Sequence, residues 1–236
     1  MGKTLPSGNE PSAVPDERIL SLLLAWFSPA FPVGSFSYSH GLETLLAGGA
    51  RGERDRAFAA IEATLRWGSG RSDAIFLSHA FRAGESGNGS QLRDVVCMAT
   101  ALAPTAERRA EALNQGSAFM ETVKAVWPAP ELDDADCAIP YPVAVGISGA
   151  AHRIPLSALV QAYLHAFCAN LASAAVRLCP LGQVDGQRLV SDLAPMVALV
   201  ARHAVVAPLE DVGGATIGLD VASMRHEYQN VRLFRS

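Results

Sequence analysis

From Ile154 to Val176 the chain carries no Asp, Glu, Lys or Arg. An uncharged run of that length is either a bilayer span or a helix enclosed by other helices. Its polar residues decide between the two. Ser157, Gln161 and His165 recur every four residues on one stripe, Asn170 and Ser173 add further polar groups, and alanines fill much of the remainder. A lone span would have to satisfy all of these in hydrocarbon. The run is therefore read as the central helix of a bundle, with alanines that let its neighbours approach closely.

The remainder follows the same period. Asp16 to Phe27 places Ile19, Leu20, Leu23, Leu24 and Phe27 on one stripe and stops before Pro29. Helices are expected over Arg51 to Trp67 and Ser72 to Ala83, then one capped by Ser90 and ending before Pro104, then a long one capped by Thr105. That last one carries Leu113, Gly116, Met120, Val123 and Trp127 as a buried seam. A Pro-rich connector leads to a short helix. Pro155 opens a helix to about Arg177, Gly186 to His203 forms another that is interrupted or kinked at Pro195, and a last one starts near Asp220. No segment combines period-two alternation with hairpin chemistry. The expectation is an all-α single domain of about nine or ten helices over residues 16–236, preceded by a polar, disordered leader over residues 1–15.

The chain is 50% hydrophobic and 18% charged, with a net charge of -4. That predicts a well-filled core and leaves room for an uncovered apolar patch. Arginine supplies every basic residue except Lys3 and Lys124, but no basic run exists, which argues against a nucleic-acid surface. Cys97, Cys137, Cys168 and Cys179 form no C-x-x-C pair and read as free, mostly buried thiols of a reducing compartment.

Motifs for chemistry are missing. The "GKT" at Gly2 follows no strand or glycine-rich loop, and the Gly48-Gly49 and Gly213-Gly214 pairs match no nucleotide fingerprint. Ser35, Ser37 and Ser39 lie near His40, but without a G-x-S-x-G elbow. Of the six histidines, none has a second histidine at ligand spacing. The enzymatic alternative is a small helical, metal-dependent hydrolase using His40 and Glu43.

Polar and aromatic residues instead concentrate in "PVGSFSYSHGLE", "SAAVRLCPLGQVDGQ" and the terminal "SMRHEYQNVRLFRS". "GSFSYSHGLE" reads as a helix start that presents a docking face. The apolar pair Leu233-Phe234 between two arginines reads as a segment for a partner's groove. Together with "YPVAVG", these blocks resemble, in order, those of the urease accessory protein UreF family, from about Ile19 to Ser236. The resemblance implies an all-α homodimer in the cytoplasm, without catalysis or cofactor, membrane or nucleic acid. It implies a complex with the accessory proteins UreD (or UreH) and the GTPase UreG, acting on apo-urease during nickel insertion. It places Ser35, Phe36 and Arg232 at the GTPase contact, and has the terminal segment ordered by the D-type partner. Where some relatives have Tyr, this chain has Phe36, and Tyr38 is the candidate to supply a hydroxyl. The partner-binding candidates are Ser35, Phe36, Tyr38, His40, Glu43, Arg225, His226, Glu227, Arg232, Leu233 and Phe234.

Overall fold

A computed structural model describes residues 16–47, 52–133, 135 and 138–235. The expected leader, the Gly48-Gly49 pair, Cys137 and Ser236 lie outside the described residues. Among those described there are ten α-helices and no strand: α1 Glu17–Trp26, α2 Leu42–Leu46, α3 Glu53–Trp67, α4 Ser69–Ser86, α5 Gly89–Ala101, α6 Ala106–Val126, α7 Tyr141–Ala151, α8 Leu156–Leu178, α9 Gln183–Val206 and α10 Ile217–His226. Single 3-10 turns occupy Ser35–Ser37, Pro130–Leu132 and Leu209–Asp211.

The helix at the centre is α7, not α8. Every residue from Pro142 to Gly149 is buried, and α7 packs chiefly on α4 and α6. Its sequence, "YPVAVGISGAA", has no side chain that needs water on any face, so it can be covered all round. Small residues set the spacing. A Cβ on Gly146 would lie 2.5 Å from the Leu77 carbonyl oxygen of α4, and one on Gly116 of α6 would run into the Ile139 carbonyl oxygen that leads into α7. By contrast α8 buries one side against α9, α4 and α3 and turns Ser157, Gln161, His165 and Ser173 outward. Both α8 and α9 are long and apolar enough to cross a membrane, and half of the α8 window is buried within the fold.

Helix ends follow local capping chemistry. Thr105 caps α6 as expected, its hydroxyl accepting from the Arg108 N–H at 3.1 Å. For α5 the cap is Asn88, not Ser90; its side chain accepts from the Gln91 N–H at 3.0 Å. α4 begins earlier than expected and runs through Gly84 to Ser86, and left-handed Gly87 ends it. The Asp185 carboxylate accepts from the Gly182 N–H at 3.2 Å, which starts α9 before Gly186. α9 then continues through Pro195 rather than breaking there. Pro195 and Ser191 are both exposed, so the carbonyl that loses its donor is on the solvated side.

An aromatic cluster closes the core at one end. Trp26 meets Phe119 edge-on at 5.3 Å, Phe31 stacks on Trp127 at 6.3 Å, and Tyr141 meets Phe119 at 5.6 Å. Cys168 and Cys179 are buried and Cys97 is exposed; all three are free thiols.

Replacing Gly116 by Ala should destabilise the fold by about 3 kcal/mol, because the clash is with backbone rather than with a movable side chain. Gly218→Ala in α10, where the added methyl meets nothing, should be neutral or gain up to about 1 kcal/mol. Urea unfolding followed by far-ultraviolet circular dichroism distinguishes the two.

Candidate functional site

The segment from Phe31 to Leu46 is not one helix start. It makes the single turn Ser35–Ser37, an extended residue at Tyr38, and a left-handed residue at His40 with φ of 55° before α2 begins. A non-glycine residue in that region is uncommon and needs support from its surroundings. His40 has that support. Its Nε2 lies 2.8 Å from the Arg108 guanidinium and 3.0 Å from Glu111, its Nδ1 lies 3.4 Å from the Ser69 hydroxyl, and its ring meets Phe167 edge-on at 5.0 Å. Burial and then the Arg108 charge hold His40 below the ordinary imidazole range. Burial would raise the Glu111 carboxyl, but the adjoining Arg108 and then His40 outweigh it and hold it down at about 2. Burial pushes nearby Asp73, which accepts from the Tyr163 hydroxyl at 3.2 Å, up to about 6. A cavity of about 340 Å³ lies against this cluster and is also lined by Phe36 and Asn170.

The last nine described residues lie across this loop. The Glu43 carboxylate accepts from the backbone N–H groups of Leu233 at 2.7 Å and Phe234 at 2.9 Å. The Arg235 N–H donates to the Ser37 carbonyl at 2.7 Å. Gln229 donates to the Thr44 hydroxyl at 2.9 Å. Arg232 donates to Glu107 at 2.8 Å, to the Gln229 carbonyl at 3.0 Å and to the Glu227 carbonyl. His226 sits beneath, with Nδ1 2.8 Å from Glu107 and Nε2 3.0 Å from Glu43. Arg177 stacks over the Phe234 ring at 4.2 Å.

The candidate residues thus divide into those on the surface and those that hold it from beneath. Phe36 is 64% exposed and Leu233 61%; Arg225 and Arg232 are exposed, and Ser35, Glu43 and Glu227 are half-buried. Tyr38, His40, His226 and Phe234 are buried, so no partner can touch them directly in this arrangement. Two expectations are corrected here. Phe234 packs on its own domain instead of waiting for a partner's groove, because Arg177 and Glu43 provide its seat. Tyr38 turns inward and supplies no hydroxyl beside Phe36. The hydrolase alternative also loses its geometry. His40 faces Arg108 and Glu111, whereas Glu43 faces His226 and the terminal segment. Among the described residues no three His, Cys, Asp or Glu side chains converge as metal ligands.

Four residues that organise the site were not among the candidates: Glu107, Arg108, Glu111 and Arg177. Glu111, Gln115, Phe119 and Val123 repeat every four residues along α6, and Glu111, Gln115, Phe119 and Val123 are all buried. That repeat was the available signal.

Glu111→Gln would leave the Arg108 charge buried without its partner and should cost about 3–5 kcal/mol at neutral pH. The carboxyl's pKa is depressed in the fold, so its contribution is fully present above about pH 4.5, its ordinary value, and is lost as pH falls toward 2. The difference between wild type and variant in urea unfolding should narrow accordingly on acidification.

The family profile described as UreF matches residues 53–194, from the start of α3 into α9. A urease accessory protein UreF of Bradyrhizobium sp. strain BTAi1 is 47% identical over 224 residues, covering 94% of this chain and 93% of that protein. One from Rhodopseudomonas palustris strain HaA2 is 47% identical over 218 residues, covering 91% and 92%. One from Xanthobacter autotrophicus is 45% identical over 218 residues, covering 91% and 90%. On this evidence the chain belongs to the UreF family of urease accessory proteins.

Proposed function

We propose that this protein is a non-catalytic scaffold of urease maturation in the cytoplasm. It joins a D-type (or H-type) accessory protein and the G-type GTPase in a complex on apo-urease, and couples GTP hydrolysis to nickel insertion. Nickel is the cargo of that process and not a resident cofactor of this chain. The observation that carries the reading is the composite surface of the Ser35–Ser37 turn and the terminal segment. There, large apolar side chains (Phe36, Val231, Leu233) stand exposed on backbone held by buried charges. Exposed aromatic and apolar residues grouped on one surface are what a docking partner can bury.

The three contacts fall on different elements. Ser35, Phe36 and the Arg232 segment form the GTPase face. Ile217, Val221, Met224 and Tyr228 make an exposed apolar stripe at helical spacing along α10 and just beyond it, suited to the D-type partner. The outward face of α8 carries Ser157, Gln161 and His165 without a charge. Such a face meets its own copy without desolvating ions, which supports a homodimer. His165→Glu would place a carboxylate in that face and should convert dimer to monomer by size-exclusion chromatography with light scattering. A native chain that is itself monomeric would remove the dimer from the proposal.

Phe36→Ala should weaken binding to the GTPase by about 2 kcal/mol or more in calorimetric titration, with an unchanged helical dichroism signal. Arg232→Ala should do the same by unseating the segment, since its guanidinium is already committed within the chain. Unaltered affinity in both variants would remove this surface as the GTPase site. In cells lacking the chain, urease should accumulate with little nickel, and full nickel loading there would overturn the scaffold reading.

A further inference from the structure

Asp73 of α4 lines the cavity of about 340 Å³ with a carboxylate that is only half used. Its Oδ2 accepts from the Tyr163 hydroxyl at 3.2 Å, and among the described residues no donor reaches Oδ1. Arg108 is the only Lys or Arg that lines the cavity. Its guanidinium is committed to Glu111 and His40 and forms no ion pair with Asp73. Burial and the Arg108 charge hold His40 below the ordinary imidazole range, so it adds no charge at neutral pH. Arg108 and Glu111 cancel, and the charge of Asp73 is left without a counterpart. Burial outweighs the more distant pull of Arg108 and pushes the Asp73 carboxyl up to about 6, which leaves it ionised at neutral pH. A carboxylate withdrawn from water without a cation of its own is a costly group to keep.

The rest of the cavity suits a cation. Trp26, Phe36, Tyr141, Tyr163 and Phe167 give it an aromatic lining, and ring faces attract ammonium and guanidinium groups. The Tyr141 hydroxyl makes no hydrogen bond among the described residues and is free to accept one. The volume lies at the lower end of the roughly 300–1,000 Å³ of small-molecule sites. That lining belongs to this cavity alone. A second one, of about 260 Å³, also borders Asp73 but has only Phe76 and His40 as rings. We propose that the aromatic cavity is a binding site for a small organic cation, an amidinium, guanidinium or primary ammonium on an apolar body, whose charge pairs with Asp73. The terminal segment lines no part of this site, so the proposal holds however that segment is placed.

The test titrates benzamidine and its neutral counterpart benzamide into the isolated full-length protein, followed by backbone amide NMR shifts. Benzamidine should shift residues of α4, α7 and α8 around the cavity. Benzamide has nearly the same shape and should bind about tenfold more weakly or worse, the loss of a charge-assisted hydrogen bond. Asp73→Asn can still accept from Tyr163, should keep its helical dichroism, and should erase the preference for benzamidine. Tyr141→Phe alters the aromatic cavity and not the second one, and should weaken benzamidine by about threefold or more. Equal binding of the two probes to the wild type overturns the proposal, as does a preference that survives Asp73→Asn or the absence of any saturable shift with benzamidine. A last arm identifies the source of the cation. Benzamidine that lowers affinity for the GTPase assigns it to a basic side chain of that partner, and unchanged affinity assigns it to a free small molecule.

Discussion

The first two turns of α6 hold both ends of the site. Adjacent residues there face opposite ways. Glu107 takes the C-terminal segment through His226 and Arg232, while Arg108, with Glu111 one turn on, takes the loop through His40. Two stretches of chain separated by most of its length, Glu43 and His226 being 183 residues apart, are brought to one place by a single helix N-terminus. Thr105 fixes where that helix begins, and its hydroxyl also meets Ser223 of α10 at 3.0 Å. A change in the α6 start would move both faces of the surface together.

The buried ions are expensive to keep, and magnitudes indicate what they do. A buried pair is often no more stabilising than an apolar substitute of the same shape, whereas breaking one costs several kcal/mol. The Arg108–Glu111 cluster therefore contributes specificity more than stability. It fixes His40 in a backbone conformation that its own side chain disfavours, and so aims Phe36 outward and Tyr38 inward. The apolar core around α7, where side chains are small and backbones close, supplies the stability that tolerates this strain.

The helices were legible because an apolar stripe every three or four residues is enough to define them. What escaped was tertiary. Gly84 reads as a stop in sequence, yet its missing side chain admits Ala150 of α7 and the helix runs through it. Asn88 and Ser90 are equally good caps by composition, and only backbone geometry chose the first. α8 was expected at the centre because it is long and uncharged, but length makes a helix a wall, and the shorter α7 is the one small enough to enclose. Within the site, aromatic and polar density located the right stretches but not the direction of any side chain. Phe36 and Tyr38 look alike in sequence and face opposite ways. Nothing local in "AERRAE" says that Arg108 and Glu111 will meet His40.

The terminal segment is the part of the fold closest to balance. From Glu227 to Arg235 only Phe234 is buried. Ordering such a stretch costs about 1–2 kcal/mol per residue of backbone, and burying one phenylalanine offsets only about 2–3 of that. The rest rests on hydrogen bonds, and the charge-assisted ones that tie the segment to the remainder of the fold, worth about 1.5–3 kcal/mol each, end on Glu43 and Glu107. A segment held this way sits at the low-stability end of the structure, where binding and release are drawn from. Polar clamping leaves the segment's apolar side chains (Val231, Leu233) exposed, whereas apolar seating would have buried them. The same choice makes the seating depend on a few charged groups, all of them on Glu43, Glu107, His226 and Arg232.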